Sequence, residues 1–370
     1  MFKATSEYLK SLGLTGPAVV IDETRARANI RAMAEKARAS GVAFRPHFKT
    51  HQSTVVAQWF ADEGVDRITV SSVRMAEQFA ETRWKDITIA LLLNPLEVPR
   101  IRQLSDYLNG RGGRLGLTVD SVAAARATAG LDVDVWIKVD TGYHRTGVGW
   151  EATEQLDEIL AALEKPAGLL THAGHSYAAR GRDELLEIHA ETVARLNAIG
   201  RPDLKLSLGD TPCCGAAGDF AGVDEIRPGN FVFHDLMQLQ IGSCAETQLA
   251  AAAVCPVVGI YPERNQVVVH GGAVHLSKEF LEWDGRRIYG QLGALELPPG
   301  GQNSGLGPVF GLAPVISLSQ EHGIIQAPGE VVSQLAIGDL VVVWPVHSCL
   351  MCDLQRGFTV IPGTSCPGSP

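Results

Sequence analysis

Between residues 17 and 208, eight short β-rich runs alternate with amphipathic helical stretches, and this alternation restricts the fold more than any other feature of the chain. The runs are 17–22, the segment 42–44 that leads into Lys49, 67–71, 87–93, 115–119, 133–139, 167–172 and 204–208. Their near-continuous apolar character predicts parallel strands covered by helices. Helical patterns fill the gaps, running up to about Ser40, from His51 to Glu63, from Glu154 to Glu164 and from Glu184 to Ile199. Eight such units close naturally into a barrel, and about 230 residues is an ordinary size for one. The competing fold is an open doubly wound sheet. Its dinucleotide-binding version is weakened because no Gly-x-Gly-x-x-Gly follows the first run.

After about Gly242 the texture changes. Helical periodicity gives way to β-rich runs at 253–260, 266–270 and 340–344, punctuated by Gly and Pro. The expected fold is therefore α/β, a (β/α)8 TIM-type barrel over 16–242 with a C-terminal mostly-β domain over 243–370. Residues 1–15 are a candidate segment to pack on the latter. Gly300 to Gly311 reads as a Gly-rich loop, and the small, polar tail Pro362 to Pro370 as disordered at its end. A net charge of −9 argues against a nucleic-acid partner or a polybasic membrane surface. No apolar run is long enough to span a bilayer, and the first residues carry no apolar signal core. A cytoplasmic protein is expected. The seven cysteines are Cys213, Cys214, Cys244, Cys255, Cys349, Cys352 and Cys366, and their odd number without a secretory signal reads as free thiols.

Polar clusters fall where the barrel strands should end. They are His47, Lys49 and His51; the run Asp140 to Val148; Thr171 to Tyr177; Gly209 to Pro212; and Arg227 to Asn230. Each alone reads as a turn or a satisfied histidine. Five converging on one mouth are harder to dismiss, because that mouth is where catalytic side chains gather. A lysine there, stripped of water, becomes nucleophilic toward a carbonyl. The Thr- and Gly-bearing loops after the last strand suit a phosphate. An arginine such as Arg145 suits a phenolic oxygen or carboxylate. In the β domain, His347-x-Cys349 at a strand end would put imidazole and thiolate on one face, a pairing that suits Zn²⁺. A buried Cys beside a satisfied His is the bland reading, and Cys352 and Asp353 are neighbouring alternatives.

These motifs, with Lys138 to Val148, Arg227 to Phe233, Ser319 to Gly323 and Pro345 to Cys349, resemble the fold-type III pyridoxal-phosphate enzymes of the alanine racemase-like class. Within that class the chain is most similar to the D-serine dehydratase and D-threonine aldolase branch, in order and over nearly its whole length. The resemblance implies pyridoxal 5'-phosphate carried by Lys49, with Arg145 near the phenolic oxygen, Tyr177 near the pyridine ring, and Thr211, Gly229 and Asn230 at the phosphate. It also implies a divalent metal, Zn²⁺ ahead of Mn²⁺, on His347 and Cys349, with Lys49 and His347 in catalytic roles. Aldolases of the branch usually carry Asp at the second metal position, so Cys349 favours a dehydratase. The chain departs from the pattern at His234, where dehydratases often have Tyr, and at His270-Gly271-Gly272, which replaces an Asp-containing turn.

The expected function is elimination from a β-hydroxy-D-amino acid such as D-serine, giving a 2-oxo acid and ammonia. Aldol cleavage to glycine and an aldehyde, racemisation, and a non-catalytic cofactor carrier are the alternatives. A head-to-tail homodimer, each active site capped by the partner's β domain, is implied by the resemblance alone.

Overall fold

The structure, a computed structural model, describes residues 1–297 and 304–362. The chain divides into two compact units. One comprises Met1–Asn29, Val232–Gln240 and Cys244–Pro370, and the other Ile30–Phe231 and Ile241–Ser243.

The second unit is the parallel barrel. Its strands run in the order Ala43–Phe44, Glu225–Ile226, Lys205–Gly209, Pro166–His172, Asp134–Asp140, Arg114–Val119, Asp86–Leu92 and Arg67–Val70. Every neighbouring pair is parallel. A bridge between His47 and Thr69 joins the two ends of this order. There Thr69 N–H donates to Pro46 O and Phe48 N–H to Thr69 O, both at 2.9 Å. Apolar side chains such as Leu117, Ile137, Leu169 and Leu208 fill the barrel and its helix contacts and are fully or almost fully buried. Serines start the helices: Ser53, Ser72 and Ser121 each accept a backbone N–H from the first turn that follows. Helices Glu23–Ala39, Thr54–Asp62, Thr153–Ala161 and Arg182–Ala198 lie where the periodicity places them.

The first predicted barrel strand does not belong to the barrel. Ala18–Asp22 pairs antiparallel with Ala251–Tyr261 and parallel with Thr359–Ile361. A run buried on both faces announces a strand but not its partner. The eighth barrel strand is instead Glu225–Ile226, two residues long and flanked by charge, too short to carry a period.

The first unit is built on an eight-stranded sheet in the order Gln266–His270, His322–Gln326, Gly305–Leu318, Gly290–Glu296, Leu340–Pro345, Ala251–Tyr261, Ala18–Asp22 and Thr359–Ile361. Gln266–His270 also pairs with Ala251–Tyr261, which curls the sheet into a second barrel-like body. Helix Phe2–Ser11 packs on it, with Thr5 Oγ1 accepting from Leu295 N–H and Ser6 Oγ from Leu340 N–H, each at 3.0 Å. The Gly-rich segment expected as a loop is strand from Gly305 onward, paired through register shifts with Gly290–Glu296. Its glycines accommodate that irregular ladder rather than a turn. Residues 300–303 of that segment, and 363–370 of the tail with Cys366, lie outside the described residues.

Candidate active site

Lys49 has a rigid root and an open tip. Phe48 before it is fully buried, its ring centroid about 5 Å from those of Phe60, Phe79 and Trp84 (5.0, 5.1 and 5.0 Å). His47 N–H donates to Pro228 O at 2.9 Å. Lys49 itself lies in the turn after the His47 bridge, and its side chain is exposed. The loss of hydration expected of it is therefore not seen: the turn carries the amine past the strand end into solvent.

The segment 209–211 meets the loop 227–231. Asp210 caps helix Thr211–Ala216, accepting Cys213 N–H at 2.7 Å. Thr211 Oγ1 in turn accepts from Gly229 N–H at 3.2 Å and Phe231 N–H at 3.3 Å. Thr211, Gly229 and Asn230 are thus one cluster. It adjoins the Lys49 segment so closely that a Cβ on Gly229 would lie 2.9 Å from His47 O.

Burial raises the pKa of Asp210 from 3.8 to about 6, against the Cys213 N–H and the Ser176 hydroxyl, which favour the charged form. The native carboxyl thus holds its proton to a higher pH than the unfolded one. Its contribution to stability is complete below about pH 3.8 and is lost as pH rises through about 6. Asp210→Asn keeps the acceptor and removes the charge. Denaturant titrations should show the variant more stable than the native chain at about pH 7 and the gap closing by about pH 4. A gap independent of pH would contradict the assignment.

Around these loops cations predominate. Arg227 is buried, its Nη2 donating to Thr171 O at 2.5 Å and its Nε to Ser207 Oγ at 2.7 Å; burial lowers its pKa to about 10. Burial, followed by Arg227 and Arg145, lowers Lys138 to about 7. His47 and His172 fall well below 6.5, first through burial, then for His47 through Lys49 and Arg227, and for His172 through Lys138, Lys49 and Arg145. Lys49, Lys138, Arg145 and Arg227 thus lie near enough to act on His47 or His172, a concentration of positive charge that also meets the carboxylates of Asp120, Asp140, Asp210 and Glu225. His172 Nδ1 is 2.7 Å from Gly209 O, so Nδ1 carries the proton and Nε2 is left as acceptor. Its ring lies between Tyr143 and Tyr177, with centroids at 5.8 and 6.4 Å, and Arg145 stacks over Tyr143 at 4.8 Å. The structure thus brings together Lys49, Arg145, Tyr177, Thr211, Gly229 and Asn230. Sequence reasoning placed His172 in a converging cluster and Lys138 in a motif but gave neither a role. Lys138 had a usable signal, being a lone cation inside an apolar run.

His347 and Cys349 lie in the other unit. They do not share a strand face, because the strand ends at Pro345. His347 is instead the N-cap of helix Ser348–Gln355, and Cys349 lies in its first turn. The two side chains are hydrogen-bonded to each other, and His347 Nδ1 lies 3.2 Å from Glu279 Oε2. Burial disfavours charge on the ring, but the Cys349 sulfur, Glu279 and Asp235 outweigh it and raise His347 to about 11. An imidazole held by a carboxylate and facing a thiol is a soft donor pair with its orientation already set. His234 is buried with φ 50°, and burial lowers it to about 3.

Residues 21–236 match the family model described as alanine racemase, N-terminal domain, and residues 250–361 the putative serine dehydratase domain. The chain belongs to the alanine racemase-like family of pyridoxal-phosphate enzymes. It is 34% identical to D-threo-3-hydroxyaspartate dehydratase of Delftia sp. (strain HT23), covering 91% of this chain and 92% of that one. D-serine dehydratase of Dictyostelium discoideum is 26% identical over 94% and 93% of the two chains. A cysteine-to-alanine variant of D-threo-3-hydroxyaspartate dehydratase, solved in the metal-free form, superposes with a TM-score of 0.82 at 31% identity, covering 95% of each chain. Among the described residues no helix is long and apolar enough to cross a membrane.

Proposed function

We propose that this protein is a pyridoxal-phosphate- and metal-dependent dehydratase of β-hydroxy-D-amino acids, with D-threo-3-hydroxyaspartate and D-serine as its first candidate substrates. The observation that carries the choice of elimination is the His347–Cys349 pair, oriented by Glu279. The barrel residues fit the cofactor: an exposed lysine, a Thr–Gly–Asn cluster for a phosphate, and cations for its negative charge.

Thr211, Gly229 and Asn230 would hold the phosphate, Arg145 would serve the phenolic oxygen, Tyr177 the ring, and Lys49 would carry the cofactor. When bound, pyridoxal phosphate draws electron density from Cα of the attached amino acid and so acidifies its proton. Lys49 Nζ receives that proton. The His347 imidazole and the Cys349 thiolate would hold the divalent cation, with Zn²⁺ favoured by the softness of the donors. A cation there would supply Lewis acidity toward a substrate hydroxyl. The Lys138, Arg145 and Arg227 charges keep anionic substrate and cofactor in place. We read the protein as cytoplasmic and as a homodimer, and light scattering of the active protein tests the second.

Chelation should remove the release of ammonia from D-threo-3-hydroxyaspartate, and Zn²⁺ or Mn²⁺ should restore it. Full activity in chelator would exclude the metal-assisted step. Gly229→Ala should push the phosphate loop off His47. Overpacking of this kind costs about 1–3 kcal/mol, and if that cost falls on the bound state, cofactor affinity in an absorbance titration should fall roughly 5- to 150-fold. An unchanged affinity would remove Gly229 from the phosphate site.

A further inference from the structure

The strand Gln266–His270 ends opposite His322 and turns through Gly271 and Gly272 into the short helix Ala273–Leu276. Three backbone bonds pin this turn to the facing corner. Gly271 N–H donates to Glu321 O at 2.9 Å, Ala273 N–H to Ser319 O at 2.8 Å, and Val274 N–H to Gln320 O at 3.2 Å. Both glycines are required by the close approach. A Cβ on Gly271 would lie 2.4 Å from Cys255 Sγ, and one on Gly272 2.3 Å from Gln320 O.

The result is a convergence of three side chains that the dehydratase reading does not use. Donor atoms of His270, His275 and Glu321 all lie within 4.8 Å of one another. His270 Nε2 is 3.4 Å and His275 Nε2 4.0 Å from Glu321 Oε2, and the two imidazole rings stand at 88° with centroids 5.2 Å apart. Ligands on one tetrahedral cation at ordinary bond lengths lie about 3.3 Å apart. Rotamer adjustments of about an ångström close the difference, and the Glu321 side chain, nearly half exposed, has room to make them.

We propose that His270, His275 and Glu321 form a second divalent-cation site, sharing no residue with the His347–Cys349 pair. Two imidazoles and one carboxylate suit Zn²⁺, Co²⁺ or Ni²⁺, and three protein ligands leave a position for water. Binding through His275 Nε2 moves the ring proton to Nδ1. That gives up the contact from Gly272 N–H, which at 3.3 Å is long and weak. Without a cation the same groups are a histidine–carboxylate cluster, and the experiment separates the two.

Co²⁺ is titrated into the pyridoxal-phosphate-loaded Cys349→Ala protein and followed by visible absorption. The Cys349→Ala background removes thiolate charge-transfer bands belonging to the other pair. The expected result is uptake of about one equivalent with d–d bands and no thiolate band. That uptake should be lost on adding His270→Ala, and also on adding Glu321→Gln, which preserves shape, with far-ultraviolet circular dichroism unchanged. No Co²⁺ uptake by the Cys349→Ala protein, or uptake indifferent to both second substitutions, would overturn the site. Because the His347–Cys349 pair is read separately from the thiolate band of the unsubstituted protein, failure there leaves this result intact.

Discussion

Lys49→Ala should yield a folded protein that lacks the visible absorbance of lysine-bound cofactor and turns over at least about 10³-fold more slowly, since the proposed function makes Lys49 both the attachment point and the proton acceptor. The structure makes this a discriminating test, because a second lysine competes on physical grounds. Lys138 is buried and its pKa is about 7, a value that favours a nucleophilic amine. Lys49 has the opposite character: exposed, on a turn anchored by Phe48 and the His47 bridge. Access favours Lys49 for the proposed attachment, since Lys138 is buried within its strand beside the Arg227 and Arg145 charges. Lys138→Met should therefore retain the absorbance while weakening anion binding. Absorbance that survives Lys49→Ala and vanishes in Lys138→Met would transfer the role.

The second large effect concerns folding. Arg45 Nε lies 2.7 Å from Glu225 Oε2, and its Nη1 bonds Asp86. All three come from barrel strands or their immediate ends, and Arg45 and Glu225 are buried. Burial opposes the Arg45 charge, but Glu225 and Asp86 more than compensate and hold the guanidinium ionised. Arg45→Ala removes the cation that lies between these two carboxylates. Removing one partner of a buried pair costs about 3–5 kcal/mol. Thermal unfolding should show a lower midpoint, and Glu225→Leu in the same chain should recover part of it by removing the stranded charge. Equal stability of Arg45→Ala and the native protein would mean the pair is not formed in solution.

The barrel was legible in the sequence because parallel strands buried on both faces leave continuous apolar runs, and the 67–71, 87–93, 115–119, 133–139 and 167–172 runs all became barrel strands. What could not be read was partnership. Ala18–Asp22 has the same apolar signature yet pairs with Ala251–Tyr261, and nothing in its short run specifies that choice. Glu225–Ile226 closes the barrel order between Lys205–Gly209 and Ala43–Phe44, but its neighbours are the charges of the Arg45 network, so hydrophobic patterning hides it. The Thr211, Gly229 and Asn230 cluster was foreseeable from loop chemistry and position. The environment of Lys49 was not, because exposure depends on how far the 48–51 turn projects. The arrangement of His347 and Cys349 rests on a helix cap rather than strand alternation, a distinction made by where the strand stops at Pro345.

The most direct test of the central claim is product analysis with D-threonine, which distinguishes elimination from carbon–carbon cleavage in one reaction. Metal-assisted elimination predicts 2-oxobutanoate and ammonia, lost on chelation and restored by Zn²⁺. Glycine and acetaldehyde would contradict it, and would show that Cys349 beside His347 does not select the dehydratase reaction.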